Sequence, residues 1–232
     1  MRDTIGAFDV IYEDNHLLVV NKRSGVLVQG DETGDTPLVD LCKRYIKKKY
    51  QKPGEVFLGV VHRIDRPVSG LVVLARTSKG LERMNALFRE KQTNKTYWAI
   101  VENRPASATG NLVHWLRKDE KKNKTTAFSR EAENAQRSEL NYKLMSTAPG
   151  NCLLEVKPLT GRPHQIRVQL ATLGCPIRGD VKYGASSAND DGSICLHARS
   201  LEFVHPVKKV AMKFDAPLPN SQYWAVFKHL IP

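Results

Sequence analysis

Phe57-Leu58-Gly59-Val60-Val61-His62-Arg63-Ile64-Asp65-Arg66-Pro67-Val68-Ser69-Gly70-Leu71-Val72-Val73-Leu74-Ala75 reads as two apolar strands around a short polar loop. Phe57 to Ile64 is the first expected strand and Leu71 to Ala75 the second. Asp65 sits at the start of the loop, and Pro67 limits the loop further by fixing its own φ. A functional carboxylate needs such a rigid mount. The plainer alternative is an aspartate that caps its own turn.

Upstream, strands are expected at Phe8 to Tyr12, Leu17 to Asn21 and Val26 to Gln29, with turn residues Glu13-Asp14-Asn15 and Ser24-Gly25 between them. Thr36 to Tyr50 follows as a helix with Leu38, Leu41, Cys42 and Tyr45 on one side and a basic end. Downstream, Ser78 to Lys91 has the helical spacing of Leu81, Met84 and Phe88, and Lys95 to Val101 alternates as a strand. Leu116 to Arg137 is polar and charged. Strands resume at Leu140 to Ser146 and Cys152 to Pro158. Pro163 to Leu173 is punctuated as a helix by Pro163, Gly174 and Pro176, with Ile166, Leu170 and Leu173 as its apolar stripe. Strands at Ile194 to Val204 and Val210 to Phe214 precede a last helix, Gln222 to Leu230. Strands and helices without regular βαβ alternation predict an α+β fold, with a mixed, largely antiparallel central sheet and flanking helices. Residues 1–232 are read as a single domain.

Composition narrows the function. Lys and Arg number 36 against 24 acidic residues, a formal net charge of +12. Such a balance suits a protein that approaches a phosphate backbone, where released counterions drive binding. The four cysteines, Cys42, Cys152, Cys175 and Cys195, form no C-x-x-C pair, so neither a zinc site nor a disulfide framework is expected. No signal-like apolar run opens the chain, and no apolar stretch nears the roughly 20 residues of a membrane span. A soluble, cytoplasmic protein is expected.

Thr160-Gly161-Arg162-Pro163-His164-Gln165-Ile166-Arg167 crowds two arginines and a histidine at a helix start, an arrangement that suits an anion. The alternative leaves Arg162 and His164 solvated and Arg167 in a surface ion pair. The run Arg117-Lys118-Asp119-Glu120-Lys121-Lys122-Asn123-Lys124 reads as a solvated hairpin loop, or as a tip whose Lys121, Lys122 and Lys124 contact RNA phosphates.

The segment Val61 to Gly70 resembles the H-R-L-D-x-x-T-S-G segment of RluA-type pseudouridine synthases. Gly161 to Val168, followed by Gly174-Cys175-Pro176-Ile177-Arg178-Gly179-Asp180 and Tyr183-Gly184, resembles their G-R-T-H-Q-I-R-V … G-x-P-I-x-G-D-x-x-Y-G segment. Ile11-Tyr12-Glu13-Asp14 through Val19-Val20-Asn21-Lys22 and Gly25 resembles their opening, and Lys95-Thr96-Tyr97 their K-x-Y strand. The departures are marginal: Ile64 for Leu, Pro67-Val68 for a polar-Thr pair, Arg23 for Pro and Gln29 for His.

The resemblance implies the pseudouridine synthase fold and an isomerase of uridine in ribosomal or transfer RNA. Asp65 matches the catalytic aspartate, Tyr97 the tyrosine that packs against the target base, and Arg167 the basic residue paired with the catalytic carboxylate. Arg63, Arg162 and His164 fall to substrate binding or support. The reaction breaks the N1–C1′ bond, turns the base and rejoins it through C5, with no redox change and no metal or other cofactor. The aspartate's use as nucleophile or as base stays open. The family-like opening near Phe8 leaves no room in these residues for the S4-type domain that many relatives carry, so target choice is expected to rest on this domain or a partner. A monomer is expected. The competing class is a non-catalytic RNA-binding or RNA-folding protein on the same fold.

Overall fold

The computed structural model describes residues 6–230. In chain order the elements are β1 (Phe8–Glu13), β2 (Leu17–Lys22), α1 (Leu38–Lys49), β3 (Gly59–Val60), β4 (Ser69–Ala75), α2 (Ser78–Arg89), β5 (Thr93–Val101), β6 (Thr109–Asp119), β7 (Lys124–Phe128), β8 (Gln136–Ala148), β9 (Asn151–Pro158), α3 (Gln165–Thr172), β10 (Leu196–Val204), β11 (Ala211–Asp215) and α4 (Gln222–Ala225). Short 3-10 turns cover Val181–Tyr183 and Lys228–Leu230. The fold is α+β with a large, largely antiparallel sheet, as the sequence predicts. The described residues form two compact units: residues 6–94 with 198–217, and residues 95–197 with 218–230.

In the first unit the strand order is β1-β2-β4-β10, with β3 on β4 and β11 on β10. Every residue of β2 and β4 is buried, so both strands are covered on two faces, and β2 is apolar up to its last two residues, Asn21 and Lys22. Leu17, Val19, Leu71 and Val73 pack with Met84 of α2 and with Leu201, Phe203 and Phe214 of β10 and β11. Gly70, at φ +114°, lies so close to the Ala198 backbone that a Cβ would collide with it, which is why β4 opens on glycine.

Two strand expectations fail here for identifiable reasons. Val26 to Gln29 forms no strand, because the Leu27 and Val28 carbonyls accept from Leu38 N and Val39 N (2.6 and 3.3 Å), the otherwise unpaired N–H groups at the start of α1. Phe57 to Ile64 shrinks to the two residues of β3, paired as Gly59 with Ala75 and Val60 with Leu74. Beyond them the Val73 N–H turns to a side chain, His62 Nε2, at 3.1 Å.

In the second unit the order is β5-β9-β8-β6-β7. The registers β5/β9, β9/β8, β8/β6 and β6/β7 are all antiparallel. The polar stretch from Leu116 lies inside a hairpin of β6 and β7, whose turn is Glu120 to Asn123. Its strands escaped notice because charged residues fill both faces at the hairpin's end. The last expected helix breaks after Ala225 into a separate 3-10 turn. α3 ends as punctuated: Gly174 is left-handed at φ +80°, and Cys175 N and Gly174 N bond back to the Leu170 and Ala171 carbonyls. Gln165 through Leu170 are all buried, so α3 has no solvent stripe and Arg167 lies inside.

Candidate active site

Asp65 lies in the first unit, half-buried between buried Ile64 and Val68. Val68 N closes the turn onto the Asp65 carbonyl at 3.0 Å. The next carbonyl, that of Arg66, accepts from Gly25 N (2.8 Å) and from Lys22 Nζ (3.2 Å). Lys22 is fully buried, and its ammonium also donates to the carbonyls of Arg23 (3.0 Å) and Val26 (2.7 Å). Burial pushes the lysine's pKa down to about 7, against an opposing pull from the Asp65 charge. Arg66 returns a bond from Nε to the Gly25 carbonyl at 3.1 Å. A single buried lysine thus joins the loop after β2 to the loop that carries Asp65.

His62 secures the other side. Its Nε2 accepts the Val73 N–H, so its proton resides on Nδ1, and its ring stacks on Phe88 with centroids 4.7 Å apart. Of the two arginines beside it in sequence, Arg63 is exposed and Arg66 is committed to its neighbours.

The second unit holds Tyr97, Arg162, His164 and Arg167. Tyr97 is half-buried on β5 opposite Val156. Arg162 is exposed, and its N–H donates to Gln165 Oε1 at 3.0 Å. The same oxygen takes the Thr160 hydroxyl (2.8 Å), while Gln165 Nε2 donates to the Glu139 carbonyl (3.0 Å). Buried Gln165 therefore fixes the turn that leads into α3.

Arg167 forms a fork with Asp180, Nε to Oδ2 at 2.7 Å and Nη2 to Oδ1 at 2.8 Å. Both side chains are buried, which overturns the surface-pair alternative. One edge of the guanidinium is thereby committed to Asp180, a partner to which the sequence reading gave no role. The Arg167 guanidinium also lies 5.0 Å from the Tyr183 ring centroid, with Lys124 Nζ 5.9 Å from it.

Lys121, Lys122 and Lys124 are exposed on the β6–β7 hairpin. Lys122 N caps on Asp119, and Lys182 Nζ holds the Asn123 carbonyl at 3.0 Å, so the hairpin tip is ordered. Sequence reasoning missed Lys22, Gln165, Asp180 and Tyr183. All four fall inside the quoted motifs, but their roles rest on burial and on partners distant in sequence. Among the described residues no three His, Cys, Asp or Glu side chains assemble as a metal-ligand set, and no helix is long and apolar enough to cross a membrane.

The sequence profile of the RNA pseudouridylate synthase family matches residues 16–172. The chain belongs to this family. This pseudouridylate synthase homologue is 33% identical over 215 residues to ribosomal large subunit pseudouridine synthase C of Vibrio vulnificus (strain CMCP6), covering 90% of the chain and 65% of that protein. It therefore spans just under two thirds of that relative's length. Against ribosomal large subunit pseudouridine synthase D of Zymomonas mobilis (subsp. mobilis, strain ATCC 31821 / ZM4 / CP4) it is 31% identical over 233 residues, covering 96% of the chain and 73% of the relative. Among solved structures it is similar to human RNA pseudouridylate synthase domain containing 4. There the identity is 27% and the TM-score 0.77, with 95% of the chain and 91% of the human chain covered.

Proposed function

We propose that this protein isomerises uridine to pseudouridine in structured ribosomal or transfer RNA, in the cytoplasm, with Asp65 as the essential carboxylate. The observation that carries the reading is the mount of Asp65. A half-buried carboxylate follows a fixed strand, and its loop is tied down by Lys22, Gly25 and His62, inside the segment that matches the family. A carboxylate held this way meets an extruded uridine with little reorganisation.

The N1–C1′ bond breaks, the uracil turns, a C5–C1′ bond forms, the C5 proton leaves and N1 takes up a proton, so atoms balance without an oxidant. Asp65 serves as nucleophile or as base. Tyr97 offers its ring face to the uracil, and Arg167 contributes a fixed cation. Arg63, Arg162 and His164 serve RNA contact or support. The exposed lysines of the β6–β7 hairpin hold the phosphate backbone, and the +12 net charge supports that role.

The test is tritium release from RNA carrying 5-tritiated uridine, with ribosomal and transfer RNA transcripts offered separately. Release with pseudouridine in the digested product supports the synthase. Tight RNA binding without release from either class favours the non-catalytic RNA-binding alternative.

A further inference from the structure

Tyr183 has its phenol oxygen between two nitrogens, 2.8 Å from Thr125 N and 2.7 Å from His164 Nδ1. The Thr125 N–H can only donate, so it occupies one lone pair of the oxygen. The phenol O–H then needs an acceptor, since Tyr183 is 8% exposed and a buried unmade donor costs about 1–3 kcal/mol. Two acceptors are in reach, the Thr125 hydroxyl and His164 Nδ1, and the imidazole nitrogen, at 2.7 Å, is by far the stronger base. An imidazole that accepts at Nδ1 carries its proton on Nε2.

The backbone is shaped to this contact. His164 takes φ +54° and ψ +19°, left-handed values that cost a residue with a Cβ about 1–2 kcal/mol. The Thr125 hydroxyl binds the Pro163 carbonyl at 3.0 Å, so the residue before His164 is tied to the strand that feeds Tyr183. Lys124 and the Arg167 guanidinium flank the Tyr183 ring, and Arg167 is itself held by Asp180, so the phenol is fixed from its faces as well as its tip.

We propose that Tyr183 is a positioning residue that fixes His164 in the Nε2–H tautomer. His164 then gives a hydrogen bond to an oxygen of the RNA at Nε2 and does not act as a base there. The RNA half of this rests on the proposed synthase reading; the tautomer does not.

Nitrogen-15 spectra of the imidazoles, with His164→Asn to assign the signal, test the tautomer. The wild-type protein should show an unprotonated Nδ1 and a protonated Nε2, and Tyr183→Phe should show a mixture. A wild-type proton on Nδ1, or an unchanged Tyr183→Phe spectrum, overturns the proposal. A double-mutant cycle tests the coupling to function. Tyr183→Phe should lower turnover about tenfold, the loss of one hydrogen bond's worth of orientation. In a His164→Ala background the same change should have little effect. Equal losses in both backgrounds make Tyr183 merely structural and overturn its positioning role. If wild-type protein forms no pseudouridine, the synthase reading fails, and the spectra still decide the tautomer.

Discussion

Around Asp65 a buried ammonium holds the Arg66 carbonyl and an imidazole holds the Val73 N–H; at residues 160–167 a tyrosine and a guanidinium–carboxylate fork hold side chains, and a glutamine joins the Thr160 hydroxyl to backbone groups. The first arrangement fixes where a loop runs and leaves its carboxylate half-buried. The second fixes which way individual polar groups face. A reacting group needs a rigid platform with room for substrate, whereas recognition groups need defined donor directions. The physical chemistry of each turn follows that difference.

The sharpest way to separate the two regions is Asp65→Asn. Asparagine keeps the shape and removes the charge, so turnover should fall on the order of 10⁴-fold, with melting temperature and RNA affinity nearly unchanged. Substantial turnover by the purified variant would remove Asp65 from the chemistry. The second region should fail differently. Asp180→Asn takes the charge from one side of the buried Arg167 fork and should cost about 3–5 kcal/mol of stability, seen as an earlier urea midpoint. Arg167→Lys keeps the charge but not the planar fork, and should also be impaired. A midpoint that does not move in either variant would show the fork to be dispensable.

Lys22 offers a milder probe. Its folded pKa, about 7, is below the ordinary 10.5, so between those values the unfolded chain binds the extra proton. Stability should then rise as pH climbs from about 7 towards 10.5, and the full burial penalty applies below about 7. Compared at about pH 6 and about pH 9 by urea unfolding, the wild type should gain on Lys22→Met. Parallel behaviour of the two proteins would mean that the lysine does not titrate in this range.

The smallest expected effect is at the hairpin. Changing Lys121, Lys122 and Lys124 together to alanine should weaken RNA binding across sequences and flatten the log K against log salt slope by about 2. Turnover at saturating RNA should hardly change. An unaltered slope in filter binding would leave these lysines as solvated charge.

Much of this was legible before any coordinates. In the run from Phe57 to Ala75 the second strand and the loop aspartate are legible, because local apolar content and proline fix both, whereas the first expected strand survives only at Gly59–Val60. The helix from Pro163 announces its ends, because Pro and Gly act on their own backbone. What escaped depends on partners far along the chain. From sequence Arg167 is expected beside the catalytic carboxylate or, in the alternative, in a surface pair, and Asp180 is invisible as its partner until the chain folds. Lys22 reads as an exposed charge at a strand end, yet lies at zero exposure among three carbonyls. Val26 to Gln29 has strand composition, and only the demand of α1 for acceptors sets it aside.

The imidazole that replaces a peptide carbonyl opposite Val73 gives β4 an amide whose acceptor is a side chain. An ordinary ladder amide exchanges its hydrogen only when the sheet opens. The Val73 amide also loses its acceptor when the imidazole alone turns away. Its exchange rate therefore reports the motion of one side chain from within a buried strand, and His62→Leu should raise it while the neighbouring amides stay locked.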